Sequence, residues 1–207
     1  LPSYHTCHTQ DVSQPLNTAV LLEWAQGFDQ QVPAIATGSS PGGVDTLILD
    51  WSLTSIAVPI ALRDRNLLCI ETNVSFPEKV GIDRLLNAIA ANQLRQAEQA
   101  ALVVDSGTAT TVDLIDEEGV FQGGAILPSL RLSANALHHY TQLLPLIPLD
   151  ELQSETKGPI GKETREAIRS GLYWGQIGAI RELTGRISRE YPQAIRLLTG
   201  GGASLFA

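Results

Sequence analysis

The alternation of apolar and polar positions is sharpest in the second half of the chain. Ile82, Leu85, Leu86, Ile89 and Ala90 recur at the spacing of one helical face, which predicts an α-helix from near Gly81 to about Glu98. "ALVVD" (101–105) is the apolar run of a buried strand and "TTVDLID" (110–116) is another. With "DEEG" as a turn between Ile115 and Val120, residues 101–124 read as an antiparallel meander whose first connection is "DSGTA". Ile168, Leu172, Gly175, Ala179, Leu183 and Ile187 predict a second long helix beginning near Thr164. Gly171, Gly175 and Gly178 thin its side, which permits close approach of another helix. "AIRLLTGGGASLFA" (194–207) is a strand running into a triple glycine.

The first 75 residues are patterned more weakly. "TAVLLEWAQGF" (18–28) predicts a helix ending at Gly27, and "TGSSPGG" (37–43) is a loop by composition. "TLILDW" (46–51) reads as a strand, "SIAVPIAL" (55–62) as a short helix and "LLCIETN" (67–73) as a strand. No fixed-period repeat is present, but a strand followed by a glycine turn occurs at 103–108 and again at 196–202. Helices alternating with hairpins give an α/β architecture with a mixed sheet.

Length and charge narrow the picture. A chain of 207 residues suits two small lobes, and 43 % apolar with 17 % charged residues supplies a substantial core. The net charge of −8 repels nucleic acid and anionic lipid, so neither is an expected partner, and any phosphate must be held by oriented amides, a cation or a few arginines. Cys7 and Cys69 form no Cys-x-x-Cys pair, which suits a reducing compartment. The longest apolar stretch is broken by Asp50, Ser52 and Pro59, and no basic leader is recognisable, so a cytoplasmic location is the expectation. His5, Cys7 and His8, with His138 and His139, lack the spacing of a structural zinc site and read as surface histidines.

Four stretches carry candidate chemistry, each with a plainer alternative. In "DSGTATT" a turn through Gly107 can aim backbone N–H groups into one concavity, with Thr108, Thr110 and Thr111 adding hydroxyls. Asp105 makes sense beside a phosphate if a cation sits between them. The plainer reading is a hairpin with an Asx-turn. In "FPEKVGIDRLLNAIAA", Asp83 and Arg84 fall in the first helical turn, where the helix keeps a carboxylate ionised. Asp83 could then accept a proton from a hydroxyl while Arg84 holds an anionic oxygen; otherwise Asp83 complements the helix dipole and Arg84 is solvated. Thr164 in "GPIGKETREAIRSG" stands where an N-cap belongs, with the helix start also suited to a substrate carboxylate. Gly200, Gly201 and Gly202 permit a flat ring or ribose to approach the backbone, or simply make a tight turn.

Taken together and in order, "GIDR", "DSGTATT", "GGAILPSL", "IGKETREAIRSG" and "LTGGGA" resemble the type III pantothenate kinases, over about residues 76–207. The resemblance implies two ribonuclease H-like lobes of the actin/Hsp70/sugar kinase superfold, mixed sheets flanked by helices. Residues 1–100 would form an N-terminal lobe and 101–207 a C-terminal lobe with the second phosphate loop and the adenosine loop. It implies ATP-dependent phosphorylation of pantothenate to 4'-phosphopantothenate, the first step of coenzyme A biosynthesis, in a cytoplasmic homodimer using ATP, Mg²⁺ and a monovalent cation (K⁺ or NH₄⁺). Asp83 would be the proton acceptor. Gly81, Ile82, Asp83 and Arg84, with Thr164, would contact pantothenate. Asp105 would hold the monovalent cation, and Gly107, Thr108, Gly200, Gly201 and Gly202 would bind ATP. Residues 1–40 show no counterpart of the family's Asp-x-Gly-Asn-Thr loop, so the first lobe is expected to lack that hairpin and to bind ATP poorly. Pro128-Ser129 replaces the family's common Pro-Gly, which raises the question of a positive φ there. Two other readings stay open: a non-catalytic, nucleotide-sensing or regulatory relative, and a kinase of the same superfold acting on a sugar or short acid.

Overall fold

A computed structural model describes residue 23 and residues 34–38, 41–52, 58–153 and 158–206. The helix expected at 18–28 and the His5, Cys7, His8 group lie outside the described residues, apart from Glu23, which is helical. The chain divides into two compact units, Leu1–Leu68 with Glu78–Asp83, and Cys69–Pro77 with Arg84–Ala207.

In the first unit, strands β1 (Ile35–Ala36) and β2 (Ile60–Ala61) pair in parallel, and helix α1 (Pro41–Ser52) packs on β1. Three expectations are corrected here. "TLILDW" belongs to α1 rather than to a strand, and the helix begins inside "TGSSPGG". Pro41 stands at its first position, where the missing N–H of proline costs nothing and its fixed φ suits the helix. Residues 55–57 of "SIAVPIAL" lie outside the described ones, and within the rest Ile60–Ala61 form strand β2 where a short helix is expected. Val44 and Trp51, seven residues apart, share one face and are both buried.

The second unit is built on a four-stranded mixed sheet. Its order is β5 (Phe121–Pro128), β4 (Ala109–Ile115), β3 (Ala101–Ser106), β6 (Ile195–Thr199). The meander β3–β4–β5 is antiparallel as the pattern predicts, and β6 pairs with β3 in parallel. β3 is the central strand and carries no alternation because both its faces are covered; Ala101 to Val104 are all buried. Gly119 adopts φ +89° to close the β4–β5 turn, with the Asp116 carboxylate accepting from the Val120 N–H at 2.8 Å.

"LLCIETN" is a further correction. Only Thr72 makes a bridge, to Phe121, flanked by Phe121 N–H to Glu71 O and Asn73 N–H to Phe121 O, both 2.9 Å. The segment is extended beside β5 but does not form a ladder. Its apolar residues Leu67 and Leu68 precede that bridge, and Leu67 lies in a 3₁₀ turn.

Helix α2 (Ile82–Leu94) ends earlier than the pattern suggests. It buries Ile82, Leu85, Ala88 and Ala91, while Ala90 is exposed. Leu86 and Ile89 are only half-buried. Helix α3 (Leu130–His139) has no counterpart among the sequence expectations. Ser129 begins it with φ −67°, its hydroxyl accepting from the Leu132 N–H at 3.3 Å. Serine therefore serves as an N-cap worth about 1 kcal/mol, and no positive φ is needed at Pro128-Ser129. His138, in the last turn of α3, sets its Nδ1 at 2.9 Å from the Leu144 carbonyl. Helices α4 (Leu149–Leu152) and α5 (Thr164–Glu190) complete the unit. Leu130, Ala134, Ile147, Leu152 and Ile168 form a common core with Leu172 and Phe206 packed against it.

Candidate active site

Because β3 and β6 run parallel, their carboxyl ends lie side by side, with Asp105 in register with Thr199. The two strand-plus-glycine-turn segments that echo one another in the sequence are thus neighbours in space. Ends of adjacent parallel strands are where α/β sheets present backbone groups to ligands. Gly200 turns the chain there with φ +92°, and an added Cβ would sit 2.5 Å from both Asp105 Oδ1 and the Ser106 carbonyl. The Gly202 N–H donates to Ser106 O at 2.9 Å, and a Cβ on Gly202 would strike the Ser106 hydroxyl. So Gly200 is demanded by its φ and by packing against the backbone at the end of β3, whereas at Gly202 the Ser106 hydroxyl would have to turn aside. Gly107 differs: it has no left-handed φ, and a Cβ there would meet nothing nearer than 3.5 Å.

Helix α2 reaches this end of the sheet with two side chains. Asn87 donates from Nδ2 to Asp105 Oδ2 at 2.8 Å, leaving Oδ1 on the side of the glycine turns. Arg84 grips Asp113 on β4, with Nε at 3.0 and 3.1 Å from the two carboxylate oxygens and Nη2 also bonded to Oδ1. The Arg84 guanidinium lies over the Phe121 ring, 5.3 Å from its centroid. The Arg84 side chain is 14 % exposed and that of Asp113 is 1 %; a solvated Arg84 is therefore ruled out by its environment.

Strand parity explains the arrangement. Asp105 pairs with Thr111, and Val103 pairs with Asp113, so these side chains share the face that α2 covers. Thr111 donates to Asp113 Oδ2 at 3.0 Å. Thr110, one residue away, points to the opposite face, buried and with its hydroxyl unpaired. The hydroxyls of "TATT" do not form one cradle: Thr108 is exposed at the hairpin tip, Thr111 is committed to Asp113 and Thr110 faces away. Burial pushes the Asp113 carboxyl above its ordinary value, and the Asp105 charge adds to that. Arg84 and the Thr111 hydroxyl pull it back only in part.

The remaining expected residues are placed as follows. Gly81 precedes α2, Ile82 is buried, and Asp83 is exposed in the first turn of α2. Asp83 stands one helical turn before Asn87. Gly201 is exposed in the turn after β6. Thr164 is the first residue of α5, not its N-cap, a position taken by Glu163. The helix start is secured instead by Glu166, whose carboxylate accepts from the Lys162 N–H at 2.8 Å, in the manner of a capping box. Gly161 is pressed against Glu166 and Ala167 so closely that no Cβ would fit.

Asn87 and Asp113 were not among the sequence candidates. Asp113 had a signal: a carboxylate inside the apolar strand "TTVDLI" must find a cation or pay heavily for burial. Asn87 had only its one-turn spacing from Asp83. Among the described residues no group of three or more His, Cys, Asp or Glu side chains is disposed to hold a metal ion.

A family model described as type III pantothenate kinase matches residues 26–186. The chain belongs to the type III pantothenate kinase family. Its relatives include proteins named Type III pantothenate kinase from Zymomonas mobilis, 44 % identical over 139 residues, which cover 67 % of this chain and 49 % of that protein. The protein of that name from Rhodospirillum rubrum is 44 % identical over 132 residues, 63 % of this chain and 49 % of its own. That from Legionella pneumophila strain Paris is 41 % identical over 167 residues, 76 % and 63 % respectively. The chain thus spans about half the length of the first two and under two thirds of the third. The family match takes in α1 to most of α5 and stops short of β6 and its glycine turn.

Proposed function

We propose that this chain carries out, or forms the larger part of a protein that carries out, ATP-dependent phosphorylation of pantothenate in coenzyme A biosynthesis. Family membership supports the reaction. The observation that supports the site is the meeting of Asp105 with the glycine turn after β6 and with Asn87 of helix α2.

On this reading Asp83 takes the proton of the attacking pantothenate hydroxyl as the new O–P bond forms, and ADP leaves as the bond from the γ-phosphorus to the bridging oxygen breaks. A weak, ionised base suffices, because the transition state is loose and the main requirement is in-line orientation. Gly81 to Arg84 and Thr164 contact pantothenate, with Arg84 receiving an anionic oxygen. Gly107, Thr108 and Gly200 to Gly202 lie along ATP. Gly107 fits that role: its fold environment would accept a Cβ, so the demand for glycine comes from a closely approaching ligand. Asp105, whose Oδ1 is left toward the glycine turns by Asn87, would hold a monovalent cation. Mg²⁺ bound with ATP would supply charge neutralisation for the transferred group.

The two-lobe arrangement of the actin superfold, with the sheet of the second lobe starting at β3, is part of the same reading. So is a homodimer: a Cβ at Gly171, Gly175 or Gly178 on α5 would meet nothing within 4 Å, leaving that helix side open to a second copy. A cytoplasmic location fits a small-molecule kinase, and no helix among the described residues is long and apolar enough to cross a membrane.

The decisive experiment incubates the purified protein with pantothenate and Mg-ATP in either K⁺ or Na⁺, then repeats it with Asp83→Ala. Product that requires K⁺ and is lost in the variant is the expected result. Nucleotide binding with no turnover under either cation would overturn the assignment in favour of a sensing role.

A further inference from the structure

We propose that Asp113 is a positioning residue for substrate recognition, holding the Arg84 guanidinium in the orientation that receives the carboxylate of pantothenate. The inference rests on the reading of Gly81 to Arg84 as a pantothenate-contacting segment and adds a residue to it from a different element.

The geometry around Arg84 is that of a preorganised group. Asp113 accepts from both Nε and Nη2 of the guanidinium, which restricts its orientation more than a single hydrogen bond would. Phe121, fully buried, supports one face of the cation at 5.3 Å. Asp113 is itself locked: Thr111 donates to its Oδ2, and Gly124 closes over it so tightly that a Cβ would collide with Oδ1 and with the Val112 carbonyl. Each support is held by a further contact, which is how a binding group is kept within a fraction of an ångström of its working position.

A purely mechanical tie between α2 and β4 would not need this chemistry. An apolar pair of similar volume does as well or better in a buried site, because two desolvated charges recover little more than they lose. Nor does the pair suit a triphosphate. With one positive charge already matched by Asp113 and with Asp105 acting on the same carboxyl, the surroundings disfavour a multiply charged anion. A planar, singly charged carboxylate fits one prepositioned guanidinium.

The test compares pantothenate with its neutral analogue bearing CH₂OH in place of the carboxylate, using the full-length protein. KM and kcat are measured for each, and Kd by titration calorimetry. Asp113→Asn keeps the shape and hydrogen-bonding oxygen but removes the charge. The expected result is a rise in KM and Kd for pantothenate that exceeds any change for the alcohol by about tenfold or more. Arg84→Ala should show the same selectivity. If Asp113→Asn does not fold, Thr111→Val, which strips one hydrogen bond from Asp113, should give a smaller loss confined to pantothenate.

Equal losses on both substrates would reduce Asp113 to a packing role and overturn the proposal. So would a selective loss in Arg84→Ala with none in Asp113→Asn, an outcome that leaves the substrate segment standing. If the parent protein neither binds nor turns over pantothenate, the functional reading itself fails, and this proposal with it.

Discussion

Replacing Arg84 by methionine isolates the energetics of the buried ion pair. Methionine fills most of the volume of the arginine stem, so the change removes charge and hydrogen bonds more than packing. What stays behind is Asp113, 1 % exposed and, among the described residues, held by the Thr111 hydroxyl. Removing one partner of a buried pair costs about 3–5 kcal/mol, mainly the uncompensated burial of the other charge. A domain of ordinary stability holds only about 5–15 kcal/mol in total, so the loss should be plain in a urea titration.

The pH dependence supplies the sign. The Asp113 carboxyl is already raised from 3.8 by burial and by Asp105, against the opposing pull of Arg84 and Thr111. In the window between the unfolded and the raised folded value, the native state binds the proton and the unfolded state does not. Stability therefore falls as pH rises through that window and recovers as pH falls. Deleting Arg84 removes the main downward influences and extends the window upward. The deficit of Arg84→Met relative to the parent protein should accordingly shrink as pH falls and Asp113 takes up its proton. The double variant Arg84→Met/Asp113→Leu, with no buried charge, should regain most of the stability at all pH values. A deficit below about 1 kcal/mol, or one that stays constant from pH 5 to 8, would show that Asp113 is not buried against Arg84 as described and refute the reasoning.

Two further perturbations separate packing from ligand demand around the same site. Gly200→Ala should lose about 1–2 kcal/mol for its left-handed φ alone, and more for the collision with Asp105 and Ser106, read as a lowered melting temperature. Gly107→Ala should leave stability within about 0.5 kcal/mol while raising the KM for ATP; a large stability loss instead would return Gly107 to a structural role. Asn87→Ala removes the one hydrogen bond from α2 to Asp105 and should cost about 1.5–3 kcal/mol, as expected for a bond to a charged group, with a higher K⁺ concentration needed for half-maximal turnover.

Legibility differed sharply along the chain. The meander at 101–124, the long helix from Thr164 and the strand into Gly200 are readable because each is specified by local pattern: a continuous apolar run, a 3.6-residue repeat, or a glycine at a turn. The segments at 46–51, 55–62 and 67–73 were misread because short apolar runs fit helix and strand equally. Tertiary partners then decide, as α1 packing on β1 and the single bridge of Thr72 to Phe121 show. Helix α3 escaped notice although Ser129 is an ordinary cap. At the site, Asp83, Arg84, Asp105 and the glycines stood out by type and context. Asn87, a common helix-surface residue, did not.

By itself the sequence determined which residues could do chemistry, since charge, glycine content and helix starts are local properties. It also determined the elements that carry them. Only the tertiary structure decided the partnerships: that β6 lies parallel to β3 and brings Gly200 onto Asp105, that Thr110 and Thr111 face opposite ways, and that Arg84 is matched by Asp113 across 29 positions of chain. Such pairings depend on strand order and on which face of a strand a helix covers. Neither is encoded in any local window, because each arises from the simultaneous burial of surfaces far apart in the chain.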